Sequence, residues 1–90
     1  MAKEIRVLVV DDHAVVRQGV RALLETEGGI TIVGEARDGQ EALAQIRALK
    51  PDVVLLDLVM PNMDGNEVIR RAVSEGLKTR ILVLTSFATD

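Results

Sequence analysis

Ninety residues, 48% of them hydrophobic and 28% charged, make one small globular domain. A net charge of −3, from 14 acidic against 11 basic residues, argues against the concentrated basic stripe of a nucleic-acid-binding face. The absence of cysteine excludes disulfides and thiolate metal sites, and Phe87, the single aromatic residue, leaves nothing for base stacking. No apolar run reaches the roughly 20 residues of a membrane span. Met1-Ala2-Lys3-Glu4 leads straight into a strand pattern without a signal-peptide core, so a cytoplasmic protein with no membrane partner is expected.

Ile5 to Val10 is rich in β-branched residues with an apolar majority, the pattern of a strand buried on both faces, and ends on Asp11-Asp12. Residues 14–27 carry Val16, Val20, Leu23 and Leu24 on one helical stripe, and Gly28-Gly29 stops the helix. Ile30 to Ala36 reads as a second strand. Asp38 with Glu41 three residues on resembles a capping box, Ala42, Leu43, Ile46 and Leu49 form a second helical stripe, and Pro51 ends it. Asp52 to Leu56 form a third strand with Asp57 at its end. A turn follows over Pro61-Asn62-Met63-Asp64-Gly65. Val68, Ile69 and Ala72 line a third helix ending near Gly76, and Arg80 to Leu84 form a fourth strand leading into Thr85-Ser86-Phe87.

Strands alternating with helices of ten or more residues predict an α/β fold, a doubly wound parallel sheet with right-handed crossovers. Such sheets bind ligands at the carboxyl ends of their strands, where Asp11, Asp12, Asp57 and Thr85 all fall. Asp57 lies inside the apolar run Val53 to Met60, where an unpaired ionised carboxylate costs roughly several kcal/mol. Three like charges at one edge call for a cation, and oxygen ligands suit a hard divalent one.

Each residue also has a plainer role. Asp57 fits an Asx-turn, Asp12 a helix N-cap, and His13 helix-start packing or solvation. Met60 and Met63 are read as fillers of turn and core gaps, and Arg70-Arg71 as a solvated helix face. No Gly-x-Gly-x-x-Gly follows the first strand, which excludes a Rossmann nucleotide binder.

Val-Val-Asp-Asp-His at 9–13, Gly-Glu-Ala-x-Asp-Gly-x-Glu-Ala at 34–42, Asp-Val-Val-Leu-Leu-Asp-Leu-x-Met-Pro at 52–61 and Met-Asp-Gly at 63–65 resemble the receiver domain of bacterial two-component response regulators. Asp-Asp-His-x-x-Val-Arg-x-Gly at 11–19 is similar to the branch whose receivers precede a helix-turn-helix DNA-binding domain. The resemblance covers the whole chain and implies a flavodoxin-like fold. It implies that Asp57 is the phosphoacceptor, and that Mg²⁺ is held by Asp12 directly, by Asp11 through water, by Asp57 and by the main-chain carbonyl of Val59. Thr85 is implied as the hydroxyl that hydrogen-bonds the phosphoryl oxygens. A sensor histidine kinase is implied as partner, with DNA reached only through a C-terminal domain that this chain does not contain. Self-phosphorylation from a small donor and slow self-dephosphorylation are the most enzymatic behaviour expected.

Two features depart from a full receiver. The pattern ends after the fourth strand, so the fourth helix, the fifth strand with its lysine and the fifth helix are absent, and Lys3, Lys50 and Lys78 are not placed to substitute. With the family's strand order the fourth strand then becomes a bare apolar edge and the first helix loses its packing neighbour, the fifth helix, so self-association or domain swapping is expected, and an inactive assembly fragment is the alternative function. An aspartyl-phosphate phosphohydrolase, the competing enzyme, carries a second aspartate two residues beyond its nucleophile; here that position is Val59.

Overall fold

The computed structural model describes residues 4–60 and 63–84. Its elements run β1 (Ile5–Val10), α1 (Ala14–Glu25), β2 (Ile30–Ala36), α2 (Gly39–Leu49), β3 (Val53–Asp57), α3 (Gly65–Ser74) and β4 (Arg80–Leu84). The four strands form one sheet in the order β2-β1-β3-β4, and every pair is parallel. That is the fold expected from the alternating pattern. The two inner strands explain the continuous apolar runs, since both of their faces are covered.

Leu8 and Val10 of β1, Val54 and Leu56 of β3, Leu43 and Ile46 of α2 and Val68 of α3 form the buried cluster. Met60 joins this cluster and Met63 packs against it, the gap-filling role expected of both. Helices α2 and α3 start on matching caps. Asp38 Oδ1 accepts from the Glu41 amide at 2.8 Å and Asp64 Oδ1 from the Glu67 amide at 3.0 Å. The reciprocal arm of the first cap reaches one residue further back than a standard capping box, with Glu41 Oε1 accepting from the Arg37 amide at 2.9 Å. At the end of α2, Lys50 takes the left-handed conformation (φ 49°) and Pro51 prevents continuation.

Helix α1 departs from expectation at its C-terminal end. It ends at Glu25, before the expected residue 27, because the Thr26 amide and hydroxyl both turn back to the Leu23 carbonyl. Its apolar stripe is only half covered: Val20 and Leu24 are half-buried, whereas Leu23 is 67% exposed and no α1 residue is fully buried. A second irregularity lies in β2. Val7 pairs with Ile32 but Leu8 with Gly34, so Val33 is an inserted residue opposite β1.

The buried and exposed leucines separate these two environments. Leu8→Ala, at a fully buried position, is expected to lower unfolding free energy by about 2–5 kcal/mol. Leu23→Ala is expected to change it by no more than about 0.5 kcal/mol. Urea unfolding of both variants is the check, and equal losses would mean that α1 is packed far more tightly than this.

Candidate functional site

The carboxyl ends of β1 and β3 lie side by side, because Val10 pairs with Leu56 across the centre of the sheet. The residues just beyond, Asp11 and Asp12 on one side and Asp57 on the other, are thereby brought to one pocket. Ligand-type atoms of Asp11, Asp12, His13 and Asp57 all lie within 4.8 Å of one another. The convergence of three carboxylates expected from the strand pattern is therefore present. Thr85 lies outside the described residues.

Asp57 is only 2% exposed. Its Oδ1 accepts from the Val59 amide at 3.1 Å, which is the Asx-turn contact, while Oδ2 is buried without a hydrogen-bond partner among the described residues. The Asx-turn reading thus accounts for one oxygen only: Oδ1 shapes the turn and Oδ2 is left over. The Val59 side chain is 75% exposed beside it. The close start of α3 helps to hold this turn. The Gly65 amide donates to the Leu58 carbonyl at 2.9 Å, and a Cβ at position 65 would fall 2.7 Å from the Leu58 Cα and 3.0 Å from the Asp57 carbonyl oxygen. Only glycine tolerates that approach.

Asp11 is buried at the β1 terminus and Asp12 is half-buried. Asp12 does not cap α1, contrary to its alternative reading; the capping position falls on His13, which makes no side-chain cap bond. His13 instead turns into the acidic group. Its amide donates to Asp11 Oδ1 at 2.8 Å, and Nδ1 stands 3.0 Å from both Asp11 Oδ1 and Asp12 Oδ1. The Asp12 contact is an ion-pair distance without hydrogen-bond geometry, so Asp12 Oδ1 also remains without a hydrogen-bond partner. The hydrogen bond that Asp11 accepts, then the charge of Asp12, push the His13 imidazole above its ordinary range. The ring stays 61% exposed, in keeping with the helix-start packing or solvation expected of it, but its turn toward the acids has no signal in the local pattern. Nothing in that pattern signals Arg17 either, whose guanidinium donates to the Asp11 main-chain carbonyl at 2.7 Å. Arg70 and Arg71 pair with Glu67 on the solvated face of α3, as expected.

Burial raises the Asp57 carboxyl above the usual range; the Val59 amide opposes this, and the charges of Asp11 and Asp12 add to it. A carboxyl with a raised folded-state pKa favours folding below its unfolded value, and this contribution is lost as pH rises through the folded value. Ionised Asp57 therefore weakens the metal-free fold at neutral pH. Asp57→Asn is expected to raise the melting temperature at pH 7 without divalent cations. The gain should shrink as the solution is acidified toward pH 4, and thermal unfolding across that range is the test.

Comparison with known proteins agrees with this arrangement. The response regulator receiver domain family matches residues 7–90. The transcriptional regulatory protein LiaR of Bacillus subtilis is 48% identical over 86 residues, covering 96% of this chain and 41% of LiaR. The NarL signal receiver domain of Mycobacterium tuberculosis superposes with a TM-score of 0.90 at 45% identity, over 98% of this chain and 69% of that one. A LuxR-family two-component response regulator from Aurantimonas sp. SI85-9A1 gives 0.86 at 38% identity, over 92% and 59%. The chain thus spans less than half the length of the curated relative. With four parallel strands in the order 2-1-3-4 and an acidic pocket where β1 and β3 end, this chain belongs to the response regulator receiver domain family and is homologous to response regulators of the LuxR type.

Proposed function

We propose that this chain is a phosphoacceptor signalling module that takes a phosphoryl group onto Asp57 from a sensor histidine kinase, with Mg²⁺ in the acidic pocket. The observation that carries this reading is the Asp57 carboxylate itself, almost fully buried, with Oδ2 unpartnered among the described residues and one of its oxygens within 4.8 Å of ligand-type atoms of Asp11 and Asp12. Residues 1–90 supply the receiver from β1 to β4. Transcriptional output belongs to a DNA-binding domain of the whole protein, by analogy with LiaR, which is named as a transcriptional regulator.

The donor set fits the metal. Beside His13, three carboxylates and a main-chain carbonyl offer oxygen, the ligand of hard divalent cations, and two of the carboxylate oxygens have no hydrogen-bond partner among the described residues. Asp12 and Asp57 would bind directly, the Val59 carbonyl would be the third protein ligand, and Asp11 would act through water. When bound, Mg²⁺ supplies charge screening between a carboxylate nucleophile and an anionic phosphoryl group. The residues do the rest. The Val59 amide and the tight Gly65 contact hold Asp57 in one orientation, with Oδ2 free to form the new O–P bond. The bond from phosphorus to the donor histidine nitrogen breaks as it forms, and the nitrogen keeps the electron pair. Thr85 would donate its hydroxyl hydrogen to the phosphoryl oxygens. A phosphohydrolase is disfavoured because Val59 stands where its acid–base aspartate would be.

A second reading concerns self-association. The outer strand β4 is unpaired on one side among the described residues, and Leu82 is 55% exposed there, with Val83 and Leu84 also open. An apolar strand edge of this kind, charged only at Arg80 where it begins, is a template for pairing with a second copy or for domain swapping. Analytical ultracentrifugation tests it: a monomer at millimolar concentration would remove this reading and leave the first intact.

Intact mass after incubation with Mg²⁺ and a small acyl-phosphate donor is expected to rise by one phosphoryl group. Asp57→Asn or a chelator should abolish the gain, and no gain in the unaltered chain would defeat the proposal. Val59 cannot orient a hydrolytic water, so the phosphoryl group should be lost slowly. Val59→Asn is expected to speed its loss by about fivefold, the worth of one hydrogen bond of about 1 kcal/mol. An unchanged rate of dephosphorylation would remove position 59 from the hydrolysis.

A further inference from the structure

The Asp-Asp-His-x-x-Val-Arg-x-Gly stretch contains one basic residue that the acidic pocket leaves unexplained. Arg17 lies one turn into α1 with its side chain only 17% exposed, unlike the other arginines that form ion pairs here. Its Nε donates to Glu35 Oε1 at 3.0 Å and its Nη1 donates to the Asp11 carbonyl at 2.7 Å. Glu35 is itself braced. Its Oε2 accepts from Arg21 Nη1 at 2.7 Å, and its main-chain carbonyl accepts from Gln45 Nε2 at 2.6 Å. The Asp11 amide donates to the Ala36 carbonyl at 3.0 Å. The peptide units on either side of Asp11 are therefore both tied to β2, one directly and the other through a single guanidinium.

We propose that Arg17 is a positioning residue for the acidic pocket. It fixes the main chain at Asp11, and so the spacing of the Asp11 and Asp12 carboxylates against Asp57, and this spacing sets the affinity for Mg²⁺. The inference rests on the reading of the pocket as a divalent-cation site. Arginine suits the task because its planar fork spans two acceptors on different elements, the β1 terminus and β2. Lysine carries the same charge but is a point donor on a flexible stem.

The sign of the effect separates positioning from simple electrostatics. A positive charge beside an acidic pocket opposes cation binding, so removing Arg17 for its charge alone would tighten Mg²⁺. Loss of positioning does the opposite. Arg17→Lys keeps the charge and loses the span, so a purely electrostatic role predicts no change there.

The experiment is calorimetric titration of the full chain with Mg²⁺, comparing the unaltered protein with Arg17→Gln, Arg17→Lys and Arg21→Gln. Amide NMR spectra and thermal unfolding of each show that it is folded. Arg21 shares Glu35 but does not reach Asp11, so its variant reports on general weakening of the network. Both Arg17 variants are expected to bind Mg²⁺ about tenfold more weakly, the lower end of the effect of removing an outer-shell partner. Arg21→Gln should bind as the unaltered chain does. If Arg17→Gln does not fold, Arg17→Lys alone decides. Unchanged or tighter binding in the Arg17 variants, or equal weakening in Arg21→Gln, would overturn the inference while leaving the cation site standing. No Mg²⁺ binding by the unaltered chain would instead overturn the cation site, and the inference with it.

Discussion

A carboxylate withheld from water at the end of a central strand is the constraint on which this molecule turns. Asp57 occupies a place that packing alone would give to an apolar residue, with Leu56 before it fully buried. Desolvation disfavours its charge, and the neighbouring aspartates disfavour it further. One amide bond from Val59 offsets part of that cost. The remainder is stability given up at a single point, and strain or desolvation concentrated in this way is common where a site is poised for chemistry. The well-packed cluster beneath β1 and β3 offsets it.

The surroundings meet that constraint without neutralising it. Asp57 has no cationic hydrogen-bond partner among the described residues; His13 reaches Asp11 and Asp12 instead. Arg17 touches only a main-chain carbonyl of the acidic pair and spends its charge on Glu35, whose carboxyl it helps Arg21 to hold below the usual range. The charge of Arg17 is thus kept behind the acidic group, whereas His13 stands against the Asp11 and Asp12 carboxylates, where its charged form would compete with a cation. The arrangement is open toward solvent and closed behind.

Much of this was legible in the sequence, and the gaps have physical causes. Strand and helix periods alternate without ambiguity from Ile5 to Leu84, so the element order and the parallel sheet followed directly. The acidic pocket followed too, because strand ends in such a sheet share one edge. The end of α1 was placed two residues late because Thr26 closes the helix with its hydroxyl, a local contact that competes with the glycine signal. The half-covered stripe of α1 was legible only through the family resemblance, since the pattern itself reports period and not what lies against Leu23. His13 and Arg17 were not legible as members of the site. The first depends on the direction of a half-free ring, and the second on a partner eighteen residues away in another element.

That partner is available only because of the extra residue in β2. Beyond Val33, Gly34 pairs with Leu8 and Glu35 with Val9; an unbroken register would put Glu35 beside Val10 instead. Val10 belongs to the apolar cluster shared with α2 and α3, whereas Glu35 meets the arginines of α1. Because side chains alternate with period two, one inserted residue decides whether this carboxylate faces charge or oil. The strand is half-buried along most of its length and looks tolerant of change. Its pairing frame is not: if Val33 took an ordinary place in the ladder, Glu35 would shift to Val10 and the core face, so the bulge itself, and not any contact of the Val33 side chain, keeps an acid out of the apolar cluster.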